Sequence, residues 1–348
     1  MAKKFRYGTG AGRHETMHDI GEIAAAAERY GFEHLTILDD INLTRDVYVL
    51  LAAAAMATSR ILLGPGVTHP YTRHPVQTAV ATGSIHELSG GRAFLGLGAG
   101  HLYKLLGLGH AAKIDDIREV AVVARHLSRG EEVELKNGTR IRCPWMQDPY
   151  PIYLGADGPR SLQLAGEVAD AVWTQGLNPA LVRWRVQNVE KGLEIAGRTR
   201  KDIDIWLRAA VVIADSKEEG REVARPFVAT KAHEFCMAVL RRDNDEANKV
   251  KSMLSQSLLD DFEKIWDVWD EYEHEGYEAS HASVISDQVV DALAIVGTPE
   301  QCAEAIASAL DAGYDGVSAT VFTHRDKVTF WRDFHNHVVP LLEGVQAS

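Results

Sequence analysis

Residues 60–101 read RILLGPGVTHPYTRHPVQTAVATGSIHELSGGRAFLGLGAGH. The stretch opens on an apolar run at 60–63 that leads into GPGV, the composition of a buried parallel strand ending at a loop. A polar segment rich in Pro, His and Thr follows. Residues 75–88 then carry a helical pattern with proline in the first turn, where its missing N–H costs nothing. Two glycines end that helix, and 91–98 (GRAFLGLG) read as the next strand. Strand, helix and strand in this order form a crossover unit, and such units build a parallel sheet.

Outward from this stretch the same alternation continues in both directions. Upstream, strands are predicted at 5–8 and 34–38, with helices at 20–30 and 46–58. Downstream, a helix is predicted at 115–127. A hairpin follows in EEVELKNGTRIRC, because Asn137-Gly138 is a strong two-residue turn signal. Strands at 152–155, 171–174 and 203–214 alternate with helices after Gly158-Pro159 and over 181–196. A last unit places a helix at 299–312, a strand at 316–322 and a closing helix at 327–342. The count is eight strands, each with a helix, so the fold class is α/β, a (β/α)8 TIM barrel. Residues 218–296, charged and unevenly patterned, are expected to be a helical insertion between strands seven and eight of one 348-residue domain.

Composition narrows the function classes. Hydrophobic residues at 46% supply a large core, and a net charge of -12 with scattered Lys and Arg argues against nucleic acid or an anionic membrane as partner. Cys143, Cys236 and Cys302 form neither a disulfide framework nor a CxxC site. The start, MAKKFRYGTG, lacks the apolar core of a signal peptide, and the apolar run 47–57 is too short to span a bilayer. The expectation is a cytoplasmic protein acting on a small molecule.

Barrels of this kind carry their sites in the loops after the strands. Those loops hold Asp39 and Asp40 after strand two, GPGVTHPYTRHP after strand three and GLGAGH after strand four. GADGPR follows strand five. Glycines at strand ends let the backbone approach a ligand closely. GADGPRS offers exposed N–H groups at a helix start, which suit a phosphate, although an ordinary helix start reads the same way. GLGAG matches a dinucleotide fingerprint poorly and has no partner acid on a following strand. Asp39 and Asp40 read as an acid/base pair or as a loop-end carboxylate and a helix cap. His101, after the glycine-rich strand end, is the histidine singled out. His69 and His74 lie in the strand-three loop, and no histidine spacing predicts a metal site.

The 64–101 block resembles the bacterial luciferase-like superfamily, closest to its coenzyme F420-dependent methylenetetrahydromethanopterin reductase branch. The resemblance extends to DDINLTRDVY (39–48), PIYLGADGPRSLQLAGEVADAVW (151–173) and GTPEQCAEAI (297–306). It implies an oxidoreductase that moves hydride between coenzyme F420, an 8-hydroxy-5-deazaflavin, and a small organic substrate. The alternative within the superfamily is an FMN-dependent monooxygenase using reduced flavin and O2. It also implies a non-proline cis peptide at Gly66-Val67 behind the ring, flanked by Thr68. Asp39 would be the strand-two carboxylate near the ring, and Gly98 and Gly100 would lie at the strand-four end. Gly155, Ala156, Gly158 and Pro159 would lie near the cofactor phosphate. Homodimers are common among such relatives. Three places depart from the pattern: Gly10 and His101 stand where the reductase carries acids, and Asp40 stands where related enzymes often carry histidine. The departures point away from a pterin substrate and make His101 the replacement proton donor, since an imidazole titrates near neutrality.

Overall fold

A computed structural model of the chain describes residues 5–100, 103, 105–270, 273, 279–320 and 326–345. Strands β1 (Tyr7–Ala11), β2 (His34–Ile37), β3 (Leu62–Pro65) and β4 (Leu95–Leu97) are followed by a two-stranded antiparallel hairpin, β5 (Val133–Glu134) and β6 (Arg140–Ile141). Then come β7 (Ile152–Gly155), β8 (Ala171–Thr174), β9 (Asp204–Ile213), β10 (Ala294–Gly297) and β11 (Gly316–Thr320). The main sheet runs β3-β2-β1-β11-β9-β8-β7-β4, every pairing parallel. Bridges Leu63–Ala93 and Thr68–Leu97 join its two ends, which closes an eight-stranded (β/α)8 barrel.

The helices begin and end where their sequences direct. Asp46 caps helix Val47–Ala57 by accepting from the N–H groups of Tyr48 and Val49. Helix Pro75–Ser89 starts with Pro75 and stops at Gly90 in the left-handed conformation, φ 69°. Inside the barrel, Phe94, Tyr153, Trp173 and Trp206 pack as one aromatic cluster. His34 stands against it, with its ring 4.7 Å from that of Trp206 and its Nε2 3.1 Å from the Ser318 hydroxyl. Gly8 makes room for that ring, since a Cβ there would lie 2.1 Å from it. No described helix is long and apolar enough to cross a membrane.

Three boundaries differ from expectation. The first strand is Tyr7–Ala11 and not 5–8, because it runs on through Gly8 and Gly10, residues that weaken a strand pattern when read locally. The fourth is Leu95–Leu97, shorter than 91–98. The 218–296 segment, expected as a helical insertion, is not helical throughout. It holds helices Lys217–Phe235, Asp245–Lys251, Gln256–Glu263 and Asp287–Leu293, but it ends in β10, which pairs in parallel with Ala210–Ile213 of β9. Four residues following a helix directly carry too little period to be separated from it. The predicted end of the last strand at 321–322 lies outside the described residues.

Candidate active site

Because the strands are parallel, their carboxyl ends share one rim, and a cleft of about 850 Å³ opens there. Its floor is backbone. The Gly66–Val67 peptide bond is cis. The N–H of Thr68 donates to Gly96 O (2.9 Å) and that of Gly98 to Thr68 O (2.9 Å), so the bend is fixed to β4. Arg208 of β9 reaches across the barrel and donates to Gly66 O at 3.0 Å. Val67 then lies beside two glycines. A Cβ on Gly98 would come within 2.6 Å of Val67 Cγ2, and one on Gly155 within 3.4 Å of its Cγ1. Gly66, Val67, Gly98, Gly100 and Gly155 all line the cleft, leaving a surface with few side chains that a flat ring can approach.

Asp39 and Asp40 both line the cleft. Asp39 accepts from the Thr68 hydroxyl at 2.6 Å and forms an ion pair with Arg73. Arg73 also reaches Asp46 at 3.0 Å and lies over the Tyr48 ring. Asp40 accepts through Oδ1 from the N–H groups of Asn42 (2.8 Å) and Leu43 (3.3 Å), the geometry of a carboxylate closing a turn. One carboxylate is thus ion-paired, and the other closes the turn after β2, as a loop-end carboxylate does.

On the opposite side Gly155, Ala156, Gly158 and Pro159 also line the cleft. Helix Pro159–Val168 starts behind Gly158 with no side chain capping it, so its first N–H groups are available to an anion. Asp157 does not supply that cap. Its carboxylate accepts from the Thr174 hydroxyl (2.8 Å) and from the side-chain amide (3.0 Å) and backbone N–H (3.2 Å) of Gln175. His101 lies outside the described residues.

Four residues here escaped the sequence reading as site members. Arg208 had a signal, being a cation inside the apolar run IDIWLRAAVVI. Arg73 and Asp157 sit in the loops after β3 and β7, and nothing in their spacing announces their partners. His69 is buried, lines the cleft, and is held by the Thr72 hydroxyl on Nδ1 (3.1 Å) and by stacking on Tyr71. The outer wall comes from the segment before β10, with Lys231, Met237, Arg241 and Trp266 among its side chains. Among the described residues no group of three or more His, Cys, Asp or Glu could hold a metal.

With this geometry in view, the family profile of the luciferase-like monooxygenases matches residues 3–316. The chain belongs to that family. It is 31% identical over 328 residues to the 5,10-methylenetetrahydromethanopterin reductase of Archaeoglobus fulgidus, covering 91% of this chain and 93% of the other. It is 28% identical over 233 residues to an F420-dependent glucose-6-phosphate dehydrogenase of Nakamurella multipartita, covering 61% and 68% of the two chains. Among solved structures, the coenzyme F420-dependent tetrahydromethanopterin reductase of Methanopyrus kandleri superposes with a TM-score of 0.77 at 24% identity, over 97% of this chain and 99% of that one. That likeness bears on the fold.

The family implies a flavin-type cofactor, and the residues present fit one. Gly66, Gly98 and Gly155 keep side chains off the floor, and the uncapped helix start at Gly158 suits a phosphate. Both features sit on the same cleft.

Proposed function

We propose that this chain is an oxidoreductase that binds coenzyme F420 and exchanges a hydride equivalent between its deazaflavin and a small organic substrate. The observation that carries the reading is the side-chain-poor floor at the Gly66–Val67 bend, in the same cleft as an uncapped helix start. The F420-dependent dehydrogenase relative supports the choice of cofactor, and the reductase relative supports the oxidoreductase reading.

When bound, the cofactor supplies the carbon that gives or takes hydride, and the protein's tasks are to bind, orient and exclude water. Gly66, Val67 and Thr68 would back the ring, with Arg208 holding the Gly66 carbonyl in place. Gly155, Ala156, Gly158 and Pro159 would receive the phosphate, the helix N–H groups donating to it. Asp39, oriented by Thr68 and Arg73, would fix the polar edge of the site, and Asp40 would hold the loop beneath it. Proton handling is assigned to His101, the residue that replaces an acid after the glycines of β4. We place the enzyme in the cytoplasm as a homodimer.

The family's own description favours a second reading, an FMN-dependent monooxygenase built on the same cleft. Titration of the purified protein with F420 and with FMN, followed by fluorescence, separates the two. The F420 reading expects tight, saturable quenching by the deazaflavin. Tight FMN binding without any F420 binding, joined by O2 uptake with reduced FMN, would establish the monooxygenase instead.

A further inference from the structure

Behind the anion-binding loop lies a charge that the site as described does not use. Arg185, on helix Pro179–Ile195, is 1% exposed, and none of its three guanidinium nitrogens has a hydrogen-bond partner among the described residues. Its Nη2 lies 3.5 Å from Asp157 Oδ1, close enough for attraction but without a well-formed hydrogen bond. The turn at Gly176 passes over the guanidinium. There φ is +92°, and a Cβ would lie 2.8 Å from Arg185 Nη1. Tyr314 pins the same turn by donating to the carbonyls of Gln175 (3.3 Å) and Gly176 (3.0 Å).

A buried guanidinium with so few partners is costly to keep, and removing its counterion would make it costlier still. Asp157 raises the complementary problem. It is the only acid in the loop 155–161, which also presents the uncapped helix start. A carboxylate one residue before that start repels an incoming anion, and like charges brought together at a binding site weaken affinity.

We propose that Arg185 is a positioning residue for the anion site. From beneath the loop it cancels the charge of Asp157, so that the N–H groups after Gly158 receive a phosphate-bearing ligand instead of facing a local negative field. Asp157 in turn keeps Thr174 and Gln175 in place through its three accepted hydrogen bonds. The inference rests on the cofactor reading above for the identity of the anion, but the pair's electrostatic role can be read without it.

The test is a two-residue cycle, Arg185→Met, Asp157→Asn and the double variant. Affinity is measured for F420 and for its dephosphorylated riboside, and thermal shifts are recorded with inorganic phosphate alone. Arg185→Met is expected to weaken F420 by about ten-fold while leaving the riboside within about two-fold, and the double variant to recover to within about three-fold of the parent. Recovery in the double variant excludes a mere folding defect, since that variant also lacks the arginine. Equal losses for F420 and riboside, or no recovery when Asp157 is neutralised, would overturn the proposal. Should the parent bind neither F420 nor riboside, the cofactor reading falls on its own. The phosphate arm then decides the pair: a shift in the parent that Arg185→Met abolishes and the double variant restores sustains it, and any other pattern refutes it.

Discussion

At the scale of single residues, the chain sets charged groups where burial makes each depend on a partner. Arg208 has two roles, donating to the cleft floor at Gly66 and adding positive potential near the core histidine His34. His34 is completely buried, and that burial, reinforced by Arg6 and Arg208, lowers its pKa to about 3. The folded protein therefore keeps His34 neutral through mild acid, while the unfolded chain protonates it below about pH 6.5. The unfolded state binds the extra proton, so stability falls as pH drops below that value, by about 1.4 kcal/mol per pH unit from this group until its folded pKa is approached. His34→Gln keeps a polar group able to reach Ser318 and removes the titration. Urea unfolding at pH 7.5 and pH 5 is expected to show a pH-dependent loss smaller by about 2 kcal/mol in the variant than in the parent. Equal losses in both would mean that His34 is hydrated, or charged, in the folded state.

At the scale of elements, the cleft depends on how closely β4 and β7 approach the bend after β3. Val67 occupies the space that side chains at 98 and 155 would need. Gly98→Ala places a methyl 2.6 Å from Val67 Cγ2, which forces Val67 or the backbone into the cleft. Overpacking of this kind costs about 1–3 kcal/mol, and the displaced atoms lie on the surface proposed for the ring. The expected result is a lower melting temperature together with at least about a ten-fold loss of F420 affinity, since a sub-ångström misfit at a packed surface is not absorbed elsewhere. A variant that binds F420 as the parent does would remove the 66–67 bend from the binding surface. The same elements show what the sequence made legible. The GPGV bend, the glycines of β4 and the helix start at Gly158-Pro159 are local signals, and each lies where its pattern placed it. β10 was hidden because four apolar residues after a helix look like that helix's last turn, and β1 was displaced because its glycines dilute the strand pattern. The ion pairs Asp39–Arg73 and Asp157–Arg185 join residues distant in sequence, and no spacing rule within one segment could reveal them.

At the scale of the whole molecule, one outer helix lacks the polar face that a surface helix ordinarily carries. Helix Val47–Ala57 (VYVLLAAAAMA) contains no charged residue. Its inward side holds Leu50, Leu51, Ala54 and Ala55, yet Val49 (53% exposed) and Met56 (73%) point outward. With Ala52 and Ala53 between them they recur every three to four residues, an apolar stripe where a surface helix ordinarily carries polar side chains. Helix Pro75–Ser89 packs beside it and adds exposed Leu88, and Ile41 lies exposed just before it. An exposed apolar stripe on a helix suits a contact surface, and a surface able to meet its own copy generates a two-fold dimer. The inferred homodimer would use this face. Met56→Glu then puts two carboxylates into the interface for each pair, where they are desolvated without partners. Within one chain the substituted side chain stays in water and should leave the barrel's fold unchanged. Light scattering coupled to size exclusion is expected to give twice the chain mass for the parent and a single mass for the variant, with matching circular dichroism. A parent that scatters as a monomer at micromolar concentration, or a Met56→Glu variant that stays dimeric, would show that this stripe is not the surface through which copies pair.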